Sequence, residues 1–156
     1  MKENCLNYKD LISEGKLKKE PNIGFDQIIR LLNRAKKDIS TSSSLIDTDC
    51  GVALAALYSG MFHAGNALIR SQGYRPGTIK QHVGVIEAVN RTLGEDVKGL
   101  ILKFDNLRKQ RNKFEYQGEL EITETLLKNR IKDAEKLLEI IEQYIYEQNP
   151  QLKLEI

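Results

Sequence analysis

A chain of 156 residues fits one compact domain and leaves little room for two. Hydrophobic residues make up 40% and charged residues 29%, with no Trp and only 3 Pro, a soluble globular composition that excludes a fibrous or low-complexity chain. The net charge of +2 is too small to decide a partner, and a strongly basic nucleic-acid binder would carry more.

The opening MKENCLNYKD has no apolar core segment, so no secretion signal is expected and the expected location is cytoplasmic. Cys5 and Cys50 lie far apart, with no Cys-x-x-Cys and no histidine-rich neighbour, and read as free thiols of a reducing compartment. No apolar run approaches the roughly 20 residues that span a bilayer, so no membrane partner is expected. A short N-terminal helix is expected from about Leu6 to Gly15, broken by KLKKEPNIG with Pro21 and Gly24. Phe25, Ile28, Ile29, Leu32, Ala35 and Ile39 then mark one face of an amphipathic helix from about Phe25 to Ser40. Its Arg30, Arg34, Lys36 and Lys37 read as a solvated polar face.

STSSSLIDTD reads as a polar connection, with Asp47 or Asp49 placed to cap a helix from about Asp49 to Gln72. That helix interleaves Ala53, Gly60, Ala64, Gly65 and Ala67 with Leu57, Tyr58, Met61, Phe62 and Leu68. Small residues at such density let neighbouring helices approach closely, which is the reason to keep glycines that weaken a helix. Gly73 fits a helix stop, the loop GYRPG follows, and Thr78 is placed to cap the next helix. Val83, Ile86 and Val89 give that helix a face, to about Leu93.

After Gly94 a further helix is expected from about Glu95 to Tyr116, ended by Gly118. The last helix, from about Thr123 to Glu147, has the clearest seam: Leu127, Ile131, Ala134, Leu138, Ile141 and Ile145. No segment alternates convincingly with period two. The reading is an all-α, up-and-down bundle of four to five antiparallel helices with a short extra N-terminal helix. One domain spans 1–156, with flexible ends at about 1–5 and 148–156.

The stretch Asn106 to Tyr116, NLRKQRNKFEY, carries the candidate chemistry. It continues an apolar stripe of Leu100, Phe104, Leu107 and Phe114, and the position between the last two is Arg111. A guanidinium cannot lose its charge and resists burial without a partner. Either this helix end opens onto a groove, or an acidic group meets Arg111, or its stem lies along the core and its head reaches water. Arg108, Arg111, Asn112 and Glu115 form one polar stripe, in which Arg111 and Glu115 are spaced to pair and Arg111 with Asn112 is suited to hold a phosphate.

Only two histidines exist, which leaves a His-based metal cage little to work with, and no metal or cofactor is expected. His63, among small and apolar neighbours, reads as a hydrogen-bonded core histidine. His82, one turn into a helix after Arg75 and Lys80, is placed either beside a phosphate or on the surface. No Gly-rich phosphate loop, Gly-x-Ser-x-Gly elbow or His-Glu-x-x-His is present.

ALYSGMFHAGNALIRSQGYRP, followed by His82 and later by RKQRNKFEY, resembles the HEPN superfamily (higher eukaryotes and prokaryotes nucleotide-binding), and is most similar to its small stand-alone prokaryotic members. The resemblance runs from about Asp10 to Tyr144. It implies a helical bundle that forms a two-fold homodimer. It also implies RNA or nucleotide binding, metal-independent ribonuclease activity in many members, and a nucleotidyltransferase antitoxin as partner in toxin-antitoxin pairs.

The superfamily's catalytic signature is Arg, a polar residue, a few variable residues, then His. Carried onto this chain, these are Arg111, Asn112 and, where the histidine should stand, Tyr116. A phenol with a pKa of about 10 is a poor general base at neutral pH, whereas hydrogen bonding to RNA or stacking on a base suits it. The expectation is therefore RNA or nucleotide binding by Arg108, Arg111, Asn112, Tyr116 and His82, with ribonuclease activity weak or absent. The alternatives are an active metal-independent ribonuclease with Tyr116 in the histidine's place, and a regulatory protein acting through contacts with a nucleotidyltransferase. The acidic end favours the last: from Gln117 onward there are nine Asp or Glu against five Lys or Arg.

Overall fold

The computed structural model describes residues 8–151. Cys5, the Leu6 end of the expected N-terminal helix and most of the expected flexible ends lie outside the described residues. Within them the chain runs α1 (Lys9–Ser13), β1 (Leu17–Lys19), α2 (Phe25–Leu45), α3 (Cys50–Ser71), β2 (Tyr74–Pro76), α4 (Gln81–Leu93), a 3-10 turn (Glu95–Val97), α5 (Lys98–Gln117) and α6 (Glu124–Gln148). This is the expected all-α bundle, with one small sheet added.

Helix α3 is the axis of the bundle and packs against α2, α4, α5 and α6. Its glycines mark the closest approaches. A Cβ on Gly60 would lie 3.1 Å from the Ala35 carbonyl oxygen of α2, and one on Gly65 would lie 2.8 Å from Val85 of α4. One on Gly51 would sit 2.3 Å from the Phe114 ring, where the end of α5 crosses the start of α3. By length and composition α3 is apolar enough to cross a membrane, which corrects the expectation that no stretch reaches that mark; 61% of its most apolar 18-residue stretch is buried inside the protein. The burial accounts for its apolar character without a bilayer.

Asp49, not Asp47, caps α3: its carboxylate accepts from the Gly51 amide at 2.9 Å and the Val52 amide at 3.1 Å. Helix α2 runs five residues past its expected end at Ser40, through the serine cluster. The hydroxyls account for this. Ser44 Oγ donates back to the Thr41 carbonyl at 2.8 Å, and Ser42, fully buried, donates across to the Ala53 carbonyl at 2.6 Å. A hydroxyl that finds a carbonyl within or beside its own helix ceases to act as a breaker.

The two strands pair antiparallel, Leu17 opposite Pro76 and Lys19 opposite Tyr74, and three residues each are too few to show alternation in sequence. The ladder continues past β2, with the Gly77 amide donating to the Lys16 carbonyl and the Ile79 amide to the Gly15 carbonyl. Those bonds tie Gly77 and Ile79 to the segment before β1 and correct the expected cap: α4 starts after Lys80, at φ 45°, with no side-chain cap, so Thr78 does not cap it. The buried face of α4 centres on Val85, Ile86, Ala88 and Val89, while Val83 is half-buried. The seam of α6 is buried throughout, and Thr123 caps it by accepting from the Leu126 amide at 3.2 Å.

Candidate nucleic-acid interface

Helix α5 buries Ile101, Phe104 and Leu107 against the core, and Arg111 is the next position on that face. Its side chain is only 15% exposed. Two of the readings open in sequence hold together: Arg111 meets an acidic group and also walls a groove. Nη1 donates to Glu115 Oε2 at 2.7 Å, and the guanidinium carbon stands 4.7 Å from the centroid of the Tyr58 ring. A cation over an aromatic face gains about 0.5–2 kcal/mol depending on desolvation. The Nε of Arg111 is buried and has no hydrogen-bond partner.

Tyr58 is itself buried, on α3, and its hydroxyl lies 2.8 Å from His82 Nδ1 at the start of α4. Burial pushes the phenol up to about 12, against the opposing pull of Arg111. Burial, followed by the positive charges of Arg111 and Arg108, holds the His82 imidazole below its ordinary value, with Glu115 acting the other way. Three helices thus bring a cation, a phenol and a neutral imidazole to one point. Phe62 completes the aromatic wall, its ring 4.4 Å from that of His82.

Two hollows of about 260 Å³ each open on either side of this point. The first is lined by all five residues singled out in sequence, Arg108, Arg111, Asn112, Tyr116 and His82, together with Lys80. Arg108 donates to Asp105 at 2.9 Å, and Tyr116 stands 80% exposed at the rim. The second hollow is walled by Tyr58, Phe62, His63, His82, Arg111 and Glu115. His63 is hydrogen-bonded as expected, but it is not a core residue. Its Nδ1 meets buried Asp38 at 2.8 Å and Ser59 at 3.3 Å, with its side chain 29% exposed.

A family model of the HEPN domain matches residues 28–144. The chain belongs to the HEPN family. No curated protein matches it. The matched span of this HEPN chain runs from α2 into α6 and holds all five site residues, while α1 and β1 precede it.

Sequence reasoning missed Tyr58, Phe62 and the Asp38–His63 pair as parts of this candidate site, because all lie where helical periodicity reads as core. The signal was there in Tyr58 and Phe62, one turn apart on the helix with two further chemistry-bearing side chains, Ser59 and His63. Cys50, also partly buried, places its sulfur 3.5 Å from the Ile46 carbonyl, away from the site. Among the described residues no group of three or more His, Cys, Asp or Glu is placed to hold a metal ion.

Proposed function

We propose that this HEPN protein binds RNA or a nucleotide, with Arg111 as the phosphate contact. The observation that carries the reading is the double role of Arg111 and His82. Each walls both hollows, and Arg111 is fixed by Tyr58 and Glu115 with hydrogen-bonding capacity unused at Nε. An arginine held in place before the ligand arrives loses less side-chain freedom on binding, and its planar fork suits phosphate oxygens. Arg108 and Lys80 add positive charge to the first hollow, and Tyr116 at its rim offers a ring to an unstacked base. A homodimer belongs to the proposal, since a two-fold axis beside α5 would double the charge at one groove. A filter-binding titration of single-stranded RNA with wild type and Arg111→Ala tests the reading: at least a tenfold loss is expected, and unchanged affinity discards it.

A second reading, metal-independent cleavage of RNA, is favoured by the place of His82. The imidazole that the family's signature would supply at position 116 is absent there, yet one stands beside Arg111 from α4. On this reading His82 takes the proton of the ribose 2′-hydroxyl as its oxygen attacks phosphorus, the bond from phosphorus to the 5′-oxygen breaks, and water protonates the leaving oxygen, giving a 2′,3′-cyclic phosphate and a 5′-hydroxyl. Cleavage that persists in Tyr116→Phe and stops in His82→Ala supports it, and RNA left intact by excess wild-type protein removes it.

A further inference from the structure

A third and larger hollow, about 650 Å³, lies between α2 and α3, lined by Arg30, Arg34, Lys37, Arg70 and His63 among others. No Asp or Glu is among its lining residues. Arg30, Arg34 and Lys37 fall at i, i+4 and i+7, one face of α2. The fourth cation of that run, Lys36, points elsewhere and pairs with Glu142 of α6 at 2.6 Å. The basic run therefore divides, and three of its four members converge on the groove with Arg70 of α3.

Some of this charge is already answered. Arg30 meets Asp26 at 3.3 Å, Arg34 pairs with Asp38, and Arg70 donates to Asn66 at 2.8 Å. The Arg30–Asp26 pair is exposed on both sides and so is worth little in water. Lys37 has no ion pair among the described residues. Four cations against two carboxylates leave the groove positive.

The three hollows are neighbours that share walls. His63 walls both the large groove and the middle hollow, and Arg111 with His82 walls both the middle hollow and the first. From Tyr58 to Arg70 the path follows about 18 Å of α3. Cations stand at both ends, and the rings of Tyr58, Phe62 and His82 stand between them.

We propose that the α2–α3 groove is a second phosphate-holding segment of the same site, and that the occupant is a single-stranded RNA lying along all three hollows. This rests on the RNA or nucleotide reading above and extends it from a point contact to a track. Separated cations suit a backbone that repeats its charge, which a mononucleotide does not, and aromatic faces in the middle suit bases that are not already stacked in a duplex.

The test is fluorescence anisotropy on the intact protein with a labelled dinucleotide and a labelled single-stranded RNA of about 12 nucleotides, a length within the range such tracks bind. The variant Arg30→Glu/Lys37→Glu changes two exposed side chains, so it is expected to fold, with circular dichroism as the check. The expected result is about a tenfold or greater loss for the long RNA and no change for the dinucleotide. Equal long-RNA affinity in variant and wild type overturns the proposal, as does a duplex of the same length binding as tightly as the single strand. Arg111→Ala, run in parallel, separates the two readings. If it loses both probes while the double variant loses neither, phosphate binding at Arg111 stands and the track falls. If it changes neither probe, both fall.

Discussion

The guanidinium of Arg111 lies over the ring of Tyr58, 4.7 Å from its centroid, and the hydroxyl of the same ring meets His82 Nδ1 at 2.8 Å. One buried aromatic residue on α3 therefore fixes a cation from α5 on its face and an imidazole from α4 at its edge. The arrangement keeps both groups in place without ligand, and it couples their charges.

That coupling sets the titration of His82. Burial comes first among the causes and the two arginines follow, so the imidazole loses its proton below the ordinary value of 6.5. Because the folded-state value is depressed, His82 contributes stability that is present above pH 6.5 and lost as the pH falls through the folded value. An NMR titration should place His82 below 6.5 in wild type and move it upward in Arg111→Ala. An unchanged midpoint in the variant would remove the coupling.

Tyr8 and Tyr58 give the opposite sign at the other end of the scale. Burial raises both phenols to about 12, so their contribution is complete below pH 10 and lost as the pH rises towards 12. Tyrosinate absorbance should therefore show Tyr8 and Tyr58 lagging and ionising together with unfolding. A single transition near pH 10 for all six tyrosines would contradict this.

Gly51 governs the end of α5. A Cβ there would fall 2.3 Å from two ring carbons of Phe114, so Gly51→Ala forces the ring aside and disturbs the helix turn that carries Arg111. Overpacking of this kind costs about 1–3 kcal/mol. Urea denaturation should show that loss, whereas Gly99→Ala, where a Cβ meets nothing within 4 Å, should be neutral or stabilising.

Asp38 is the buried anchor of the groove wall, bonded to Arg34, Ser59 and His63. Asp38→Ala leaves a half-buried hydroxyl and imidazole without their acceptor, an expected cost of about 1–3 kcal/mol in urea denaturation. Wild-type stability in that variant would mean that water replaces the carboxylate freely.

Most of the helices were legible because an apolar residue every three or four positions has one physical cause, a face turned to the core. The α6 seam and the α5 stripe are examples, and the interruption at Arg111 showed where that face opens. The serine run of α2 was misread because Ser44 bonds back to its own helix and Ser42 finds its carbonyl only once α3 is packed alongside. The two strands were invisible because their bonds run between segments nearly sixty residues apart, and the misplaced cap at Thr78 follows from the same ladder. At the site, Arg111, Asn112, Tyr116, Arg108 and His82 could be named from sequence, whereas Tyr58 could not. A buried tyrosine beneath a cation and a core tyrosine have the same neighbours along the chain.

The central claim is that Arg111 contacts phosphate, and the salt dependence of RNA binding tests it most directly. Each phosphate contact on a single strand contributes about 0.7 to the slope of log K against log salt. Arg111→Ala should bind single-stranded RNA at least tenfold more weakly and with a slope shallower by about 0.7 for each Arg111 engaged. An affinity and slope identical to wild type would contradict the account.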